Sequence, residues 1–436
     1  MTADPAQDCP MPDRLNPAEQ GWMRAPETLA VMAALDPGAQ DLARFVGGSV
    51  RDALASAHLG QRAEHQTTDI DIATVLEPPT VIRQLEAANI RSIPTGIDHG
   101  TITAVLNHRS FEITTLRRDV ETDGRRAVVA FTTDWREDAA RRDFTFNALF
   151  AGIDGTIHDY FDGRRDLAEG RVRFVGEADL RIREDVLRIL RYCRFHARFG
   201  AGPPSGPDFE ACVARRDLLP QLSAERVAHE LSRLLASDQP VQTLDAMIAH
   251  GLLAHWLPEA RDTAILSAAM QRADAAGRRD WLRRLAVLAP VASAGEAHAM
   301  AARLKLSNAE AARLADFAEP PYPFTPTTAP AARAEALYRM GRDRAWDLAI
   351  IGAAHAAVEG PDGGQGWDAL MDEAAAWQPR DLPVSGADAV AAGLSPGPAV
   401  GKSLRAVERW WIDHNFLPDR AACLAQLQAI VADQTK

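Results

Sequence analysis

Strand-like alternation of apolar and polar positions is confined to the first third of the chain. Leu42–Val46 (LARFV), Thr68–Thr74 (TDIDIAT), Thr101–Leu106 (TITAVL) and Phe111–Leu116 (FEITTL) are rich in β-branched residues and alternate with a period near two. Between them, Val50–Ala57 (VRDALASA) and Thr80–Ala88 (TVIRQLEAA) carry helical spacing. Residues 29–158 are therefore expected to form a small mixed-sheet domain. Beyond it the apolar period is helical almost to the end, with Pro/Gly-rich loops at Gly200–Pro207, Glu319–Pro330 and Pro361–Gly366. The pattern predicts an α+β chain, with a sheet-containing head followed by an all-helical remainder. Residues 1–28 read as an extension in front of the head, disordered in part.

Composition narrows the class. A 436-residue chain with 47% hydrophobic and 25% charged residues is ordinary for a globular protein of several domains. Its four cysteines, Cys9, Cys193, Cys212 and Cys423, show neither CxxC nor zinc spacing, which points to a reducing compartment. The Pro-punctuated, acidic opening lacks the apolar core of a secretory signal, and no stretch reaches the roughly 18 apolar residues of a membrane span. A cytoplasmic location without membrane contact is expected. The formal charge of −12 argues against a broad phosphate-binding surface. Nearly all positive charge is arginine, since Lys305, Lys402 and Lys436 are the only lysines, so a local arginine site stays open.

Two short motifs carry candidate chemistry. In Phe45–Asp52 (FVGGSVRD) a strand meets two glycines and a helix start. Gly47 and Gly48 let backbone approach a ligand, and the helix N-terminus offers unpaired N–H groups to an anion; a plain tight turn is the alternative. Asp69 and Asp71 alternate with Ile70 on one strand, so both carboxylates share a face, about 6–7 Å apart. Such acids repel unless a cation lies between them, as in two-metal phosphoryl transfer; alone, the pair reads equally as a solvated strand edge. Together the motifs describe a triphosphate site, with glycines at the phosphates and aspartates on metal.

A third candidate is the helical Ile182–Phe195 (IREDVLRILRYCRF). On a continuous helix Val186, Ile189, Leu190, Cys193 and Ala197 form an apolar stripe, with Glu184, Arg188 and Arg191 opposite and Asp185 at the edge. A solvated face with Glu184 paired to Arg188 is one reading. The other uses hydrogen-bond inventory: Asp185 accepts and Arg188 donates, matching the amine and ring nitrogen that cytosine and adenine share. Guanine and uracil would leave those groups unpaired.

GGSVRD followed by DIDIAT resembles the head of the polymerase-beta nucleotidyltransferase superfamily, specifically class II tRNA nucleotidyltransferases and bacterial poly(A) polymerases. Arg141–Phe150 (RRDFTFNALF), Asp159–Leu167 (DYFDGRRDL), Ile182–Phe195 and Leu222–Leu235 (LSAERVAHELSRLL) are similar to the family's later motifs, in order. The resemblance implies a polymerase-beta-like head at 29–158, a helical neck at 159–240, a body at 241–365 and a tRNA-binding tail at 366–436. It also implies Mg²⁺ on Asp69 and Asp71, the catalytic pair. Gly48, Arg51, Arg142, Arg191 and Arg194 would serve the triphosphate, Asp143 and Asn147 the ribose, and Asp185 with Arg188 the base. Glu112 is a candidate third acid, and equally a strand-face partner for an arginine.

The tRNA enzymes, unlike the poly(A) polymerases, carry a strand of the type His99–Leu106 (HGTITAVL), and those completing CCA keep a flexible segment like Thr114–Phe131, here with its Asp123-Gly124-Arg125 turn. The resemblance thus implies addition of CCA to the tRNA 3′ end from CTP and ATP. A poly(A) polymerase of the same fold, or a catalytically retired RNA-binding protein, is the rival. No protein partner can be inferred. In the tail, Ser395–Gly401 is either a phosphate nest or a helix connection, and core packing is the default for Trp410 and Trp411.

Overall fold

The computed structural model describes residues 11–59, 70–123, 126–275, 277–360 and 366–434. They fall into two units, Met1–Trp256 and Leu257–Lys436. The first opens with α1 (Gly21–Arg24) and α2 (Pro26–Leu35), then β1 (Ala43–Val46), α3 (Gly48–Leu59), β2 (Ile70–Thr74), α4 (Pro78–Ala87), β3 (Arg91–Gly96), β4 (Thr101–Leu106) and β5 (Arg109–Thr115). There follow β6 (Arg117–Asp123), β7 (Arg126–Phe131), α5 (Trp135–Ala140), β8 (Phe150–Ala151) and β9 (Ile157–His158).

Seven strands form one sheet in the order β3-β4-β5-β2-β1-β8-β9, while β6 and β7 pair as a separate hairpin. Within the large sheet only β2 and β5 run parallel. Period-two alternation gives the sheet an apolar face on which Ile70, Ile72, Ile102, Ala104, Phe111 and Ile113 are buried. The helix α4, with Val81 and Leu85 buried, packs against β3 and β4. In register, Asp71 pairs with Glu112, and Glu112 with Thr103, so the opposite face is polar at this point.

The expected strands and both expected helices are present. The spacing did not reveal β3: Pro94 interrupts a run of exposed and half-buried residues, as suits an edge strand. Residues 11–15, within the expected extension, make specific contacts. Leu15 donates its N–H to the Gly155 carbonyl (2.8 Å), Ile157 donates to that of Asp13 (2.8 Å), and Met11 and Leu15 are buried. This part of the extension is thus pinned along β9.

The helices α6 (Gly163–Ala168), α7 (Ala178–Glu184), α8 (Arg188–Phe199), α9 (Pro207–Ala214), α10 (Ala224–Ala236) and α11 (Val241–Ala249) complete the first unit. An aromatic seam joins them to the head. Phe144 meets Phe174 (ring centroids 4.8 Å apart) and Phe195 (5.3 Å), and Phe146 also meets Phe195 (5.3 Å). Among the described residues of the second unit every regular element is a helix, from Ala264–Ala275 to Arg420–Gln434. Trp411 is buried there and donates to the Pro418 carbonyl (3.0 Å), while Trp410 packs beside His414 (4.7 Å). Ser395 lies in the loop leading into the helix Pro398–Asp413. No helix among the described residues is long and apolar enough to cross a membrane.

Gly163 shows how closely α6 packs on the turn that precedes β8. A Cβ there would lie 2.3 Å from the Thr145 carbonyl oxygen and 2.9 Å from Phe146 Cα, backbone of the 3₁₀ turn Thr145–Asn147. Gly163→Ala is expected to cost about 1–3 kcal/mol by overpacking, read as a lowered denaturant midpoint; an unchanged midpoint would show that the turn yields freely.

Candidate active site

The geometry begins at Gly47. Its φ of 71° lies in the left-handed region, and it ends β1 so that α3 starts at the next residue. A Cβ on Gly47 would stand 3.7 Å from Asp71 Oδ2 and 3.9 Å from Arg142 Nη1. Glycine, acid and arginine therefore border one small space, kept clear by the missing side chain. Gly48 opens α3 beside it, and a Cβ there would meet Arg51 Nη2 at 3.6 Å. Asp71 is half-buried, and Glu112 is its exposed register partner on β5. Asp69 lies outside the described residues. Carboxylate oxygens on an open polar face are the hard donors that a divalent cation requires, so Asp71 fits such a group.

Arg142 is held from behind. Its Nη2 donates to Asp138 Oδ2 (2.9 Å), and Arg141 Nη2 donates to Oδ1 (2.7 Å). Burial pushes the Asp138 carboxyl up, but Arg142 and Arg141 outweigh it, and its pKa sits below the usual value. Arg51 is buried and enters a different set of contacts. It donates to Asp52 Oδ1 (2.7 Å) and to Asn147 Oδ1 (2.6 Å), with its guanidinium 4.9 Å from the Phe195 ring centroid.

From Asn147 the chain of contacts runs on to α8. Asn147 Nδ2 donates to Asp143 Oδ1 (2.9 Å), and Arg191 Nε donates to Asp143 Oδ2 (2.7 Å). Burial raises the Asp143 pKa, yet Arg191, Asn147 and the Phe144 N–H bring it below the usual value. Arg191 also approaches Glu230 (3.7 Å), which binds Arg194 Nε at 2.5 Å. Arg194 is buried, lies 3.9 Å over the Phe195 ring, and is drawn down to about 10 by burial. Of the expected triphosphate arginines, Arg51 and Arg194 thus face internal partners, and Arg142 stands at the glycine turn.

The continuous helix expected over Ile182–Phe195 is broken. Asp185 is extended (φ −151°, ψ 106°) between α7 and α8, and its Oδ1 accepts from the Leu187 N–H (3.1 Å). This local side-chain bond competes with the helical ladder and supplies the physical reason for the break. Arg188, first in α8, donates to the Arg181 carbonyl (2.8 Å) and pairs with Glu184. Arg181 in turn reaches Glu184 (2.9 Å), the Val175 carbonyl (2.8 Å) and the Ala140 carbonyl (2.5 Å) on α5. Two contact chains therefore lead from the glycine turn, one to Arg191 on α8 and one to Arg188 at the corner. One runs through Arg51, Asn147, Asp143 and Arg191, and the other through Arg142, Asp138, α5 and Arg181.

Asp52, Asp138, Arg181 and Glu230 escaped the sequence reading. Each sits inside a motif already singled out or next to one, but acids and arginines on amphipathic helices read as solvated faces.

The sheet, the glycine turn and the acid facing it define a nucleotidyltransferase head. The family described as "Poly A polymerase head domain" matches residues 43–173, and "Probable RNA and SrmB- binding site of polymerase A" matches 209–263. The chain is 33% identical over 387 residues to the CCA-adding enzyme of Lacticaseibacillus paracasei, covering 84% of this chain and 87% of that one. It belongs to the CCA-adding enzyme family. It is 44% identical over 234 residues to "CCA tRNA nucleotidyltransferase 1, mitochondrial" of Danio rerio, although the match spans 53% of this chain and only 52% of that relative. Among solved structures it resembles the Bacillus stearothermophilus CCA-adding enzyme in complex with CTP, with a TM-score of 0.65 and 27% identity over 94% of this chain and 98% of that one. Nucleotidyltransferases of this kind use divalent metal ions.

Glu230→Ala is expected to destabilise the first unit by about 3–5 kcal/mol, because it strands the buried Arg194. Replacing Glu230 and Arg194 together by methionine is expected to recover most of that loss. Chemical denaturation of both variants checks the claim; equal losses would show that the pair is not the source.

Proposed function

We propose that this chain adds C, C and A in turn to the 3′ end of tRNA, using CTP and ATP and no nucleic-acid template. The reading is carried by one arrangement: an acceptor, Asp185, and a donor fork, Arg188, stand at one helix break, each clamped by its own partner. A single such corner accepts cytosine and adenine, because both offer an amine beside a ring nitrogen. Guanine and uracil present a carbonyl with an N–H and would leave both groups unpaired.

In this reading the tRNA 3′-hydroxyl attacks the α-phosphorus of the bound nucleotide. A new P–O bond forms, the bond to the β-phosphate breaks, and pyrophosphate leaves. The N-terminus of α3 at Gly48, together with Arg142, takes the triphosphate. Asp143 and Asn147 hold the ribose. Arg191 keeps Asp143 in place and faces the phosphates, and Arg51 and Arg194 brace the wall behind them. Magnesium held by Asp69 and Asp71 would lower the pKa of the attacking hydroxyl and neutralise charge on the pyrophosphate. Residues 29–158 serve as the catalytic head, 159–240 as the neck, 241–365 as the body and 366–436 as the tail that meets tRNA, in a cytoplasmic setting.

The test is purified protein with tRNA lacking CCA, each nucleotide singly and in pairs, and products sized on a gel. CTP alone is expected to add two residues, and CTP with ATP three. Long A tails from ATP alone would instead indicate a poly(A) polymerase, and no incorporation a retired enzyme. In the same assay Asp71→Ala should fall to background, and Arg188→Ala should lose at least about tenfold in discrimination of CTP over UTP. Intact selection in Arg188→Ala would contradict the role given to this corner.

A further inference from the structure

Asp185 is not fixed by a helix. It lies in the extended link between α7 and α8, so its backbone leaves the side chain free to take several directions. Two contacts remove that freedom. The Leu187 N–H holds Oδ1 (3.1 Å), and Nη2 of Arg226 donates to Oδ2 (2.7 Å). Arg226 is on α10, four residues before Glu230, so the two project from the same face of that helix. Glu230 holds Arg194 and approaches Arg191 on α8. One face of α10 thus backs the reading corner with a charge opposite to each group it meets.

We infer that Arg226 is a positioning residue for base selection, acting through Asp185. This rests on the proposed reading of Asp185 and Arg188 as the base-selecting pair. A carboxylate has about four lone-pair sites. With Leu187 on Oδ1 and Arg226 on Oδ2, the rotation of the carboxylate is fixed and each oxygen keeps acceptor capacity for the amine of an incoming base. An Asp185 that swings away would leave an empty position, and the carbonyl edge of uracil would then be tolerated. Arg226 is about half exposed, so its ion pair adds little to overall stability. Its effect belongs to selection.

The experiment compares wild type, Arg226→Ala and Arg226→Lys in single-nucleotide addition to tRNA lacking CCA, with CTP, ATP, UTP and GTP measured separately. For Arg226→Ala, KM for CTP and ATP is expected to rise about tenfold with kcat within about twofold, and the preference for CTP over UTP to fall about tenfold. Arg226→Lys restores a cation near Oδ2 and is expected to keep selection within about threefold of wild type. Wild-type selection in Arg226→Ala, or a loss confined to kcat with selection intact, would overturn the inference. If Arg226→Ala does not fold, Arg226→Lys decides, because weaker selection by more than tenfold in a folded Lys variant contradicts a role resting on charge and reach. A wild type that shows no preference for CTP and ATP would instead refute the reading of the pair itself.

Discussion

Asp143 is the joint on which the site depends. Its carboxylate belongs to the head and is largely removed from water, with 12% of its side chain exposed. A charge in that position requires partners, and it finds them on two sides: Asn147 in its own turn and Arg191 on α8. The bond to Arg191 ties α8 to the segment that follows α5, and the bond to Asn147 carries the constraint back to Arg51 and the glycine turn. Pairs of this kind contribute little net stability, because desolvation offsets most of the attraction, but breaking one is costly. The arrangement therefore sets geometry more than it adds stability. Aromatic packing of Phe144, Phe146, Phe174 and Phe195 supplies the apolar burial around it.

The acidic balance of the chain fits this picture. Arginines of the motifs are matched by carboxylates inside the protein: Arg51 by Asp52, Arg142 by Asp138, Arg191 by Asp143 and Arg194 by Glu230. Net charge counts both members of each pair and so says little about a local site. What distinguishes Arg142 is its place, with Nη1 beside Gly47 and the carboxylate of Asp71 across the same small space.

Much of the head was legible in the sequence because its strands alternate cleanly. Ile70 and Ile72 buried, with Asp71 between them less so, is the pattern that period two predicts. The glycine turn was legible for a similar reason, since only glycine tolerates the φ of Gly47 without strain. Less legible was the break at Asp185. The apolar spacing of Ile182, Ile189 and Leu190 suits one continuous helix, and the side-chain bond to Leu187 that interrupts it leaves no trace in periodicity. The hairpin of β6 and β7 lay within a segment read as flexible, and Gly124 and Arg125 between its strands fall outside the described residues. Glu230 could not be distinguished from a solvated acid until packing placed it against Arg194.

The most direct test of the joint is a double-mutant cycle on Asp143 and Arg191, read as the affinity of the purified protein for CTP. Asp143→Ala, Arg191→Ala and the double variant would each be titrated with nucleotide under the same conditions. If the bond between them holds α8 and the head in one site, the second substitution should add little to the first, with a coupling of about 1.5–3 kcal/mol. Effects that add within about 0.5 kcal/mol would mean that the two residues act independently, and the joint described above would not exist.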